Sequence, residues 1–143
     1  MIFDTTTFGG PDFLRGALNF ALAFLAAGGF TLVFKAIYQV ITPHNEGKLI
    51  REGNAAAAVA QGGAVIGYVL PLASALAHTV TLPEFAAWAV VAGVVQIVTF
   101  WAVRRLALPD VSARIERGEM SAALYLLMIS IAVGLLNAAC MTA

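Results

Sequence analysis

The chain has 143 residues, of which 61% are hydrophobic and only 11% are charged, and its mean hydropathy is +0.89. A soluble globular domain is about 45–50% apolar and about 25% charged, so this composition excludes an ordinary soluble protein and favours an integral membrane protein. The formal net charge is zero, which provides no overall basic surface for nucleic acid. The single cysteine, Cys140, excludes an intrachain disulfide and a cysteine-based metal site, and its role is left open.

Four long stretches of the chain contain no Asp, Glu, Lys or Arg. An α-helix needs about 20 residues to cross about 30 Å of hydrocarbon, whereas the strands of a membrane barrel are shorter and alternate in polarity. The sequence therefore predicts an all-α integral membrane protein with four transmembrane helices. No Lys or Arg precedes Arg15, so the first stretch lacks the cationic start of a signal peptide and is expected to remain as a span. The predicted spans are 16–34, 53–77, 85–103 and 120–143.

The cationic residues are concentrated in two of the three connections between the predicted spans. The connection at 78–84, between the second and third spans, contains no Lys or Arg. The positive-inside rule places cationic loops in the cytoplasm, so both basic loops are predicted to be cytoplasmic and both termini to be outside. The basic residues of these two loops are Lys35, Lys48, Arg51, Arg104, Arg105, Arg114 and Arg117.

The two halves of the sequence align at an offset of about 65 residues, at which Ile50 and Gly53 match Ile115 and Gly118. In each half a proline follows a span, and then come a short charged segment, a glycine and a helix rich in small residues. Because each unit crosses the membrane twice, the two copies have the same orientation and form two tandem parallel two-helix repeats. We predict a single membrane domain over 1–143. Repeat one covers about 13–80, and repeat two covers about 84–143.

Each cytoplasmic loop is predicted to contain a short interfacial helix, over 43–52 in the first loop and 109–117 in the second. Proline suits the first turn of a helix, and glycine suits the left-handed residue that ends one. Asn54 and Glu119 are expected to cap the spans that follow. The apolar residues expected to face the bilayer are Leu49, Ile50, Val111 and Ile115. The residues expected to contact anionic lipid or a cytosolic partner are Lys48, Arg51, Arg104, Arg105, Arg114 and Arg117.

The chain resembles a known family in its first loop and second span. The matching segments are Thr-Pro-His-Asn-Glu at 42–46, Leu-Ile-Arg-Glu-Gly-Asn-Ala-Ala-Ala-Ala at 49–58, Gly-Gly-Ala-Val-Ile-Gly at 62–67 and Pro-Leu at 71–72. They resemble the domain-of-unknown-function 350 family of small bacterial inner-membrane proteins (YjfL-like). The second half departs from the pattern, because it lacks the Gly-Gly-x-x-x-Gly run and the proline of the last span. The resemblance implies a duplicated two-helix unit, a multi-pass location in the bacterial inner (plasma) membrane and sometimes a membrane-stress context, but no catalytic residues.

Small residues dominate the second predicted span. Gly63 and Gly67 form a Gly-x-x-x-Gly pattern, and Gly62 precedes it. Small residues at this spacing allow two helices to approach closely in lipid. The three glycines are therefore candidates for helix packing within one chain or for an oligomer interface.

Polar side chains recur every seven residues along the same span. Asn54, Gln61 and Tyr68 lie close to one stripe of the helix. Polar groups at membrane depth usually face protein or water. The stripe therefore predicts interhelical hydrogen bonds or, alternatively, the polar lining of a conduction path.

The sequence contains no phosphate loop, no paired-histidine zinc motif and no Ser/His/Asp order, so we expect no enzyme, no cofactor and no metal centre. His44, Glu46 and Glu52 could suggest a cation site, but one histidine and two carboxylates on a short loop are a weak signal. The roles of His44 and Glu46 are left open.

Two hypotheses for function follow. The first is a small channel or pore-like protein, which must be a homo-oligomer because four helices are too few to enclose a water-filled path. The alternative is a membrane scaffold or stress-response adaptor that binds lipid headgroups or a cytosolic partner through its basic loops. No acidic residue lies deep in a predicted span, which argues against a proton-coupled pump.

Overall fold

The computed structural model describes residues 11–142, and this part of the chain forms six α-helices. They are α1 (Pro11–Ile41), α2 (Glu46–Arg51), α3 (Ala55–His78), α4 (Leu82–Ala102), α5 (Val111–Glu116) and α6 (Met120–Cys140). A π-helical segment, Val103–Ala107, extends α4. The four long helices, α1, α3, α4 and α6, are long and apolar enough to cross a membrane, which confirms the prediction of an all-helical protein with four spans. The expectations for residues 1–10 and for Ala143 lie outside the described residues.

Side-chain caps fix where several of the helices begin. Asn45 Oδ1 accepts a hydrogen bond from the Lys48 backbone N–H at 3.0 Å and starts α2. Asn54 Oδ1 accepts from the Ala57 N–H at 3.0 Å and starts α3, which confirms the predicted cap. Each cap satisfies a backbone donor that the first helical turn leaves free.

The two short helices end within one residue of the predicted ends but begin later. Gly53 follows α2 with φ of 88°, and Gly118 follows α5 with φ of 77°, so both glycines adopt the left-handed conformation expected of them. The predicted starts at Pro43 and Pro109 are wrong, because Pro43 lies in a bend and Pro109 in a turn ahead of each helix. For α2 the reason is the asparagine cap at Asn45, which sets the first helical residue after the bend rather than at the proline.

The apolar residues of α5 face the spans rather than lipid, and those of α2 lie partly against them. Val111 and Ile115 are fully buried, and Leu49 and Ile50 are partly buried against the same hydrophobic core. The expectation that Val111 and Ile115 face the bilayer is therefore wrong, whereas Leu49 and Ile50 lie only partly against the core. Their burial closes one end of the helix bundle, because α2 packs on α3 while α5 packs on both α3 and α6.

The closest helix contact among the described residues joins α3 and α6, which run parallel. A Cβ atom built on Gly63 would lie 2.6 Å from Leu127 Cα, and one on Gly134 would lie 2.8 Å from Gly67 Cα. Real Cβ atoms do not approach other atoms so closely, so only glycine fits at these positions. Gly62, by contrast, has open space where a Cβ would lie, with no neighbouring atom within 4 Å. Gly63 and Gly67 thus lie in a contact within one chain, and Gly62 does not take part in it.

Aromatic contacts attach α1 to the rest of the bundle. The ring of Phe34 stacks on that of Tyr68 of α3, with centroids 4.2 Å apart. Tyr38 meets Phe100 of α4 edge-on at 5.4 Å. Most of the other large apolar side chains of α1 are exposed, so the helix presents a broad apolar surface to its surroundings.

Substitution of Gly67 tests the role of the α3–α6 contact. A Cβ at this position would lie 2.6 Å from Gln96 Nε2 and even closer to the Ser130 backbone. We expect Gly67→Ala to lower the free energy of unfolding by about 1–3 kcal/mol, the usual cost of overpacking a tight contact. Denaturant unfolding in detergent micelles, followed by circular dichroism, measures the change. Gly62→Ala is the matched control and should be close to neutral; equal effects of the two substitutions would contradict the packing described here.

Candidate functional site

The two charged loops meet at one end of the helix bundle. Asn54 Nδ2 donates hydrogen bonds to the backbone carbonyls of Ile115 at 2.9 Å and Glu116 at 3.1 Å. These bonds join the start of α3 to the end of α5, across 61 and 62 positions of sequence. The short turn between α3 and α4 lies at the opposite end. Asn54, predicted to be part of a polar stripe, is thus a link between the two loops.

The loops together carry a surface that we name the basic face, which consists of Lys48, Arg51, Arg104, Arg105, Arg114 and Arg117. Lys48 lies 3.8 Å from Glu52, but both side chains are largely exposed and such pairs contribute little. Arg105 lies over the ring of Trp101, with its guanidinium carbon 5.3 Å from the ring centroid. Among the residues that the structure describes, Arg51, Arg104, Arg105 and Arg117 form no ion pair.

Arg114 differs from the other cations of the basic face because it is held by Glu119. Its Nε donates to Glu119 Oε2 at 2.8 Å, and its Nη2 donates to Glu119 Oε1. Ser121 Oγ donates to the same carboxylate at 3.0 Å. The hydrogen bonds from Arg114 lower the pKa of Glu119 to about 2. Glu119 lies at the N-cap of α6, as predicted, but its side chain makes no hydrogen bond to the helix and binds Arg114 instead.

The other two residues of the predicted polar stripe are enclosed by the chain itself. Gln61 Nε2 donates to Glu46 Oε2 at 3.0 Å, and both side chains are buried. Tyr68 is buried beneath Phe34. The structure therefore places Asn54, Gln61 and Tyr68 in three different environments and engages each of them within the chain.

Gln61 belongs to a group of side chains that sequence reasoning did not assemble. We name this group the buried polar cluster, and it consists of Tyr38, His44, Glu46 and Gln61. Each of these residues is at most 7% exposed. His44 Nε2 lies 3.3 Å from Glu46 Oε1, and the side chains of this pair are 1% and 0% exposed. The cluster lies at the end of the bundle that carries the basic face, because α2 contributes both Glu46 and Arg51.

Local structure explains how four residues from three helices and a bend come together. Thr42 Oγ1 donates to the Tyr38 carbonyl at 3.1 Å and ends α1 in a bend. The bend turns His44 inward, and the Asn45 cap then orients α2 so that Glu46 points at α3. In the sequence, His44 and Glu46 alone were a weak indication of a site. Tyr38 and Gln61 belong to two other helices, so only the fold brings them close to this pair.

The polar atoms of the cluster are incompletely bonded. Four buried atoms have no hydrogen-bond partner among the described residues, and they are Tyr38 Oη, His44 Nδ1, His44 Nε2 and Glu46 Oε1. No three His, Cys, Asp or Glu side chains within residues 11–142 are grouped as a full set of metal ligands, so His44 and Glu46 stand as a pair. A cavity of about 540 Å³ lies on the outer side of this segment, and its lining residues include Gln39, His44, Glu46 and Arg51.

The polar contacts at the opposite end of the bundle are local. His78 Nδ1 lies 2.8 Å from the Ser74 carbonyl oxygen, and Ser74 Oγ donates to the Ala138 carbonyl at 3.0 Å. Cys140 is an exposed free thiol at the end of α6. The bond from Ser74 to Ala138 joins α3 to α6, whereas the contact of His78 with Ser74 lies within α3.

The chain is similar to membrane proteins of undefined activity. The model of a family described as Domain of Unknown Function (DUF350) matches residues 12–141. Two relatives, from Escherichia coli strain K12 and Escherichia coli O157:H7, are each described as UPF0719 inner membrane protein YjfL. Each is 39% identical over 129 residues, which cover 90% of this chain and 97% of the relative. No solved structure matches the chain. The matched region contains the four spans, the basic face and the buried polar cluster.

The depressed pKa of Glu119 gives a testable pH dependence. The pKa in the folded state is about 2, below the ordinary value of 4.5, so the Arg114–Glu119 interaction stabilises the folded chain above about pH 4.5. That stabilisation is lost as the pH falls from about 4.5 to about 2. A carbon-13 NMR titration of the Glu119 carboxyl should have its midpoint near pH 2. Arg114→Gln should move the midpoint up towards 4.5, whereas Arg51→Gln should leave it in place. A midpoint near 4.5 in the unmodified protein would refute the pairing.

Proposed function

Because the chain belongs to the family described as Domain of Unknown Function 350, whose description states no activity, we propose its function from the charge and exposure of its basic face. The proposal is a non-enzymatic, multi-pass protein of the bacterial inner membrane that binds the anionic headgroups of the cytoplasmic leaflet. The location is proposed from the relatives described as inner membrane proteins and from the four apolar helices. Such binding would make the protein a scaffold at the membrane surface.

The exposed arginines are the observation that carries this proposal. Arg51, Arg105 and Arg117 are exposed and form no ion pair with a described residue. Arginine presents a planar set of donors that suits phosphate oxygens. A cation close to an anionic leaflet contributes about 1 kcal/mol to binding. Three such cations at one end of a helix bundle therefore favour an anionic surface over a neutral one.

The basic face is also held in a defined shape. Asn54 joins the two loops through the carbonyls of Ile115 and Glu116, and the Arg114–Glu119 pair fixes the end of α5 to the start of α6. Side chains on a fixed backbone lose less conformational freedom when they bind. The arrangement thus favours recognition of phosphate groups at set positions over a diffuse attraction.

The orientation and the tandem repeat are part of the same proposal. α2 and α5 have six residues each and start 65 positions apart, as do α3 and α6. Gly53 and Gly118, also 65 positions apart, share the left-handed conformation. These correspondences support two parallel copies of one two-helix unit. Each copy would then place its charged loop on the same side of the membrane, in the cytoplasm by the positive-inside rule.

The oligomeric pore is less well supported as a function. Gly63, Gly67, Gln61 and Tyr68, which suggested an interface and a polar lining, are engaged within one chain. A homo-oligomer would have to form through other surfaces, of which the exposed apolar side of α1 is the broadest. The oligomeric pore and the number of its subunits remain predictions made from the sequence.

Neutralising the exposed arginines tests the headgroup proposal. We expect Arg51→Gln/Arg105→Gln/Arg117→Gln to weaken binding of phosphatidylglycerol by about tenfold or more, since each cation contributes about 1 kcal/mol before screening by salt. Native mass spectrometry of protein released from mixed-lipid nanodiscs counts the retained anionic lipid. Arg15→Gln, at the other end of the bundle, is the matched control.

Unchanged lipid retention in the triple variant would refute headgroup binding. If a cytosolic protein were lost from the triple variant while lipid stayed bound, the basic face would be an adaptor surface for that protein instead. Circular dichroism of the variant confirms that the helices are intact, so either result is interpretable.

Reporter fusions test the proposed orientation. Alkaline phosphatase is active only outside the cytoplasm, so a fusion after Ala143 should be active, and a fusion after Glu52, in the first basic loop, should be inactive. Green fluorescent protein at the same two positions should give the opposite pattern. Activity of the phosphatase at Glu52 would invert the topology and place the basic face outside.

A further inference from the structure

The first long helix, α1, packs on the rest of the bundle along one side only. That side carries Phe30, Phe34 and Tyr38, whose rings meet aromatic rings of α3 and α4. In the most apolar stretch of α1 only 6% of the residues are buried, against 56% in the corresponding stretch of α3. The other side of α1 is therefore covered by no part of the chain that the structure describes.

The uncovered side of α1 carries a regular pattern of leucines and small residues, which we name the α1 seam. Leucine recurs at every seventh position, and a second row lies four positions before each of these leucines. Residues spaced alternately by four and three lie on one side of a helix. The α1 seam consists of Leu14, Leu18, Ala21, Leu25, Gly28 and Leu32, all of which are exposed.

The α1 seam points away from the bundle and is as long as a membrane is thick. A helix turns by about 100° per residue, so Leu25, nine positions before Phe34, points about 180° away from it. From Leu14 to Leu32 the helix rises by about 27 Å, close to the thickness of about 30 Å of a hydrocarbon core. The next position of the pattern is Lys35, so the seam ends at Leu32.

Two glycines in the middle of α1 have no role within the chain. Gly28 belongs to the α1 seam and Gly29 follows it, and a Cβ atom on either would have no neighbouring atom within 4 Å. Glycine is among the least favourable residues in the interior of a helix, but in lipid it permits a second helix to approach closely. Gly63 and Gly67 serve that purpose between α3 and α6. The two glycines of α1 leave the same kind of space open to a helix from outside the chain.

We propose that the α1 seam is the contact between two copies of this chain. Rows of leucines and small residues that repeat every seven positions interlock with an identical helix, as in a two-stranded coiled coil, and this geometry is common between transmembrane helices. Two copies inserted in one membrane have the same orientation, so their α1 helices run parallel. A twofold axis along the membrane normal then brings each seam leucine opposite its own counterpart. This self-complementarity favours a second copy over an unrelated partner.

The contact depends on the location of the four spans in a membrane but not on headgroup binding. Because the two copies are parallel, a dimer presents two basic faces on the same side of the membrane. Two linked surfaces hold an anionic leaflet more strongly than one does. The α1 seam thus adds to the proposed function without depending on it.

Disulfide cross-linking of single-cysteine variants in membranes tests the α1 seam. Cys140→Ser provides a background without a thiol, and Leu25→Cys or Leu32→Cys then introduces one in the seam. We expect oxidation to join two copies of either variant, because equivalent leucines meet at the twofold axis. Phe24→Cys and Val33→Cys are the matched controls and should not cross-link. Each adjoins a seam leucine, is exposed like it and points about 100° away from it.

Equal cross-linking of Phe24→Cys and Leu25→Cys would indicate random collision and overturn the proposal. Absence of cross-links in both seam variants would show that lipid covers this side of α1, and would overturn it as well. The triple variant Arg51→Gln/Arg105→Gln/Arg117→Gln should cross-link through Leu25→Cys as strongly as the chain that keeps its arginines. Failure of headgroup binding and failure of the α1 seam are therefore distinguishable.

Sedimentation equilibrium in detergent micelles measures the same contact without an introduced cysteine. The unmodified protein should have the mass of two chains. Gly28→Leu should raise the dissociation constant of the dimer by about tenfold or more, because it overpacks a close contact. Gly62→Leu, the same change at an exposed glycine of α3, should leave the dissociation constant unchanged. A monomeric unmodified protein, or equal effects of the two substitutions, would refute the contact.

Discussion

The contact between α3 and α6 is the constraint on which the rest of the structure depends. Helices in lipid gain nothing from the hydrophobic effect when they associate, because lipid tails are as apolar as their side chains. Close packing and interhelical hydrogen bonds must hold them instead. Gly63, Gly67 and Gly134 permit that approach, and Gln96 of α4 joins it by donating to the Ser130 carbonyl at 3.0 Å.

The parallel direction of α3 and α6 determines where the charged loops lie. Both helices begin at the same end of the bundle, so the loops that precede them are neighbours there. Asn54 then serves two purposes, since its Oδ1 caps α3 and its Nδ2 binds the carbonyls that end α5. The basic face and the buried polar cluster are both consequences of this arrangement, one on the outer side of the loops and one beneath them.

The sequence predicted those features that depend on local composition. Long stretches without charge located the four spans, and Gly53 and Gly118 marked the ends of the two short helices. The prediction failed for features that depend on tertiary contacts. The burial of Val111 and Ile115 and the capture of Glu119 by Arg114 depend on which helices are neighbours. The sequence alone does not indicate that Gln61 of the second span forms a hydrogen bond with Glu46 of the preceding loop.

The short helix α2 connects the two candidate sites. Its first residue, Glu46, points inward to the buried polar cluster, and its last residue, Arg51, is exposed on the basic face. A helix of six residues is only about 9 Å long and has little stability of its own, so its position depends on the contacts at its ends. The hydrogen bond from Gln61 and the contact with His44 fix the inner end of α2 against α3. The position of Arg51 on the basic face therefore depends on the buried contacts of Glu46 at the other end of the same short helix.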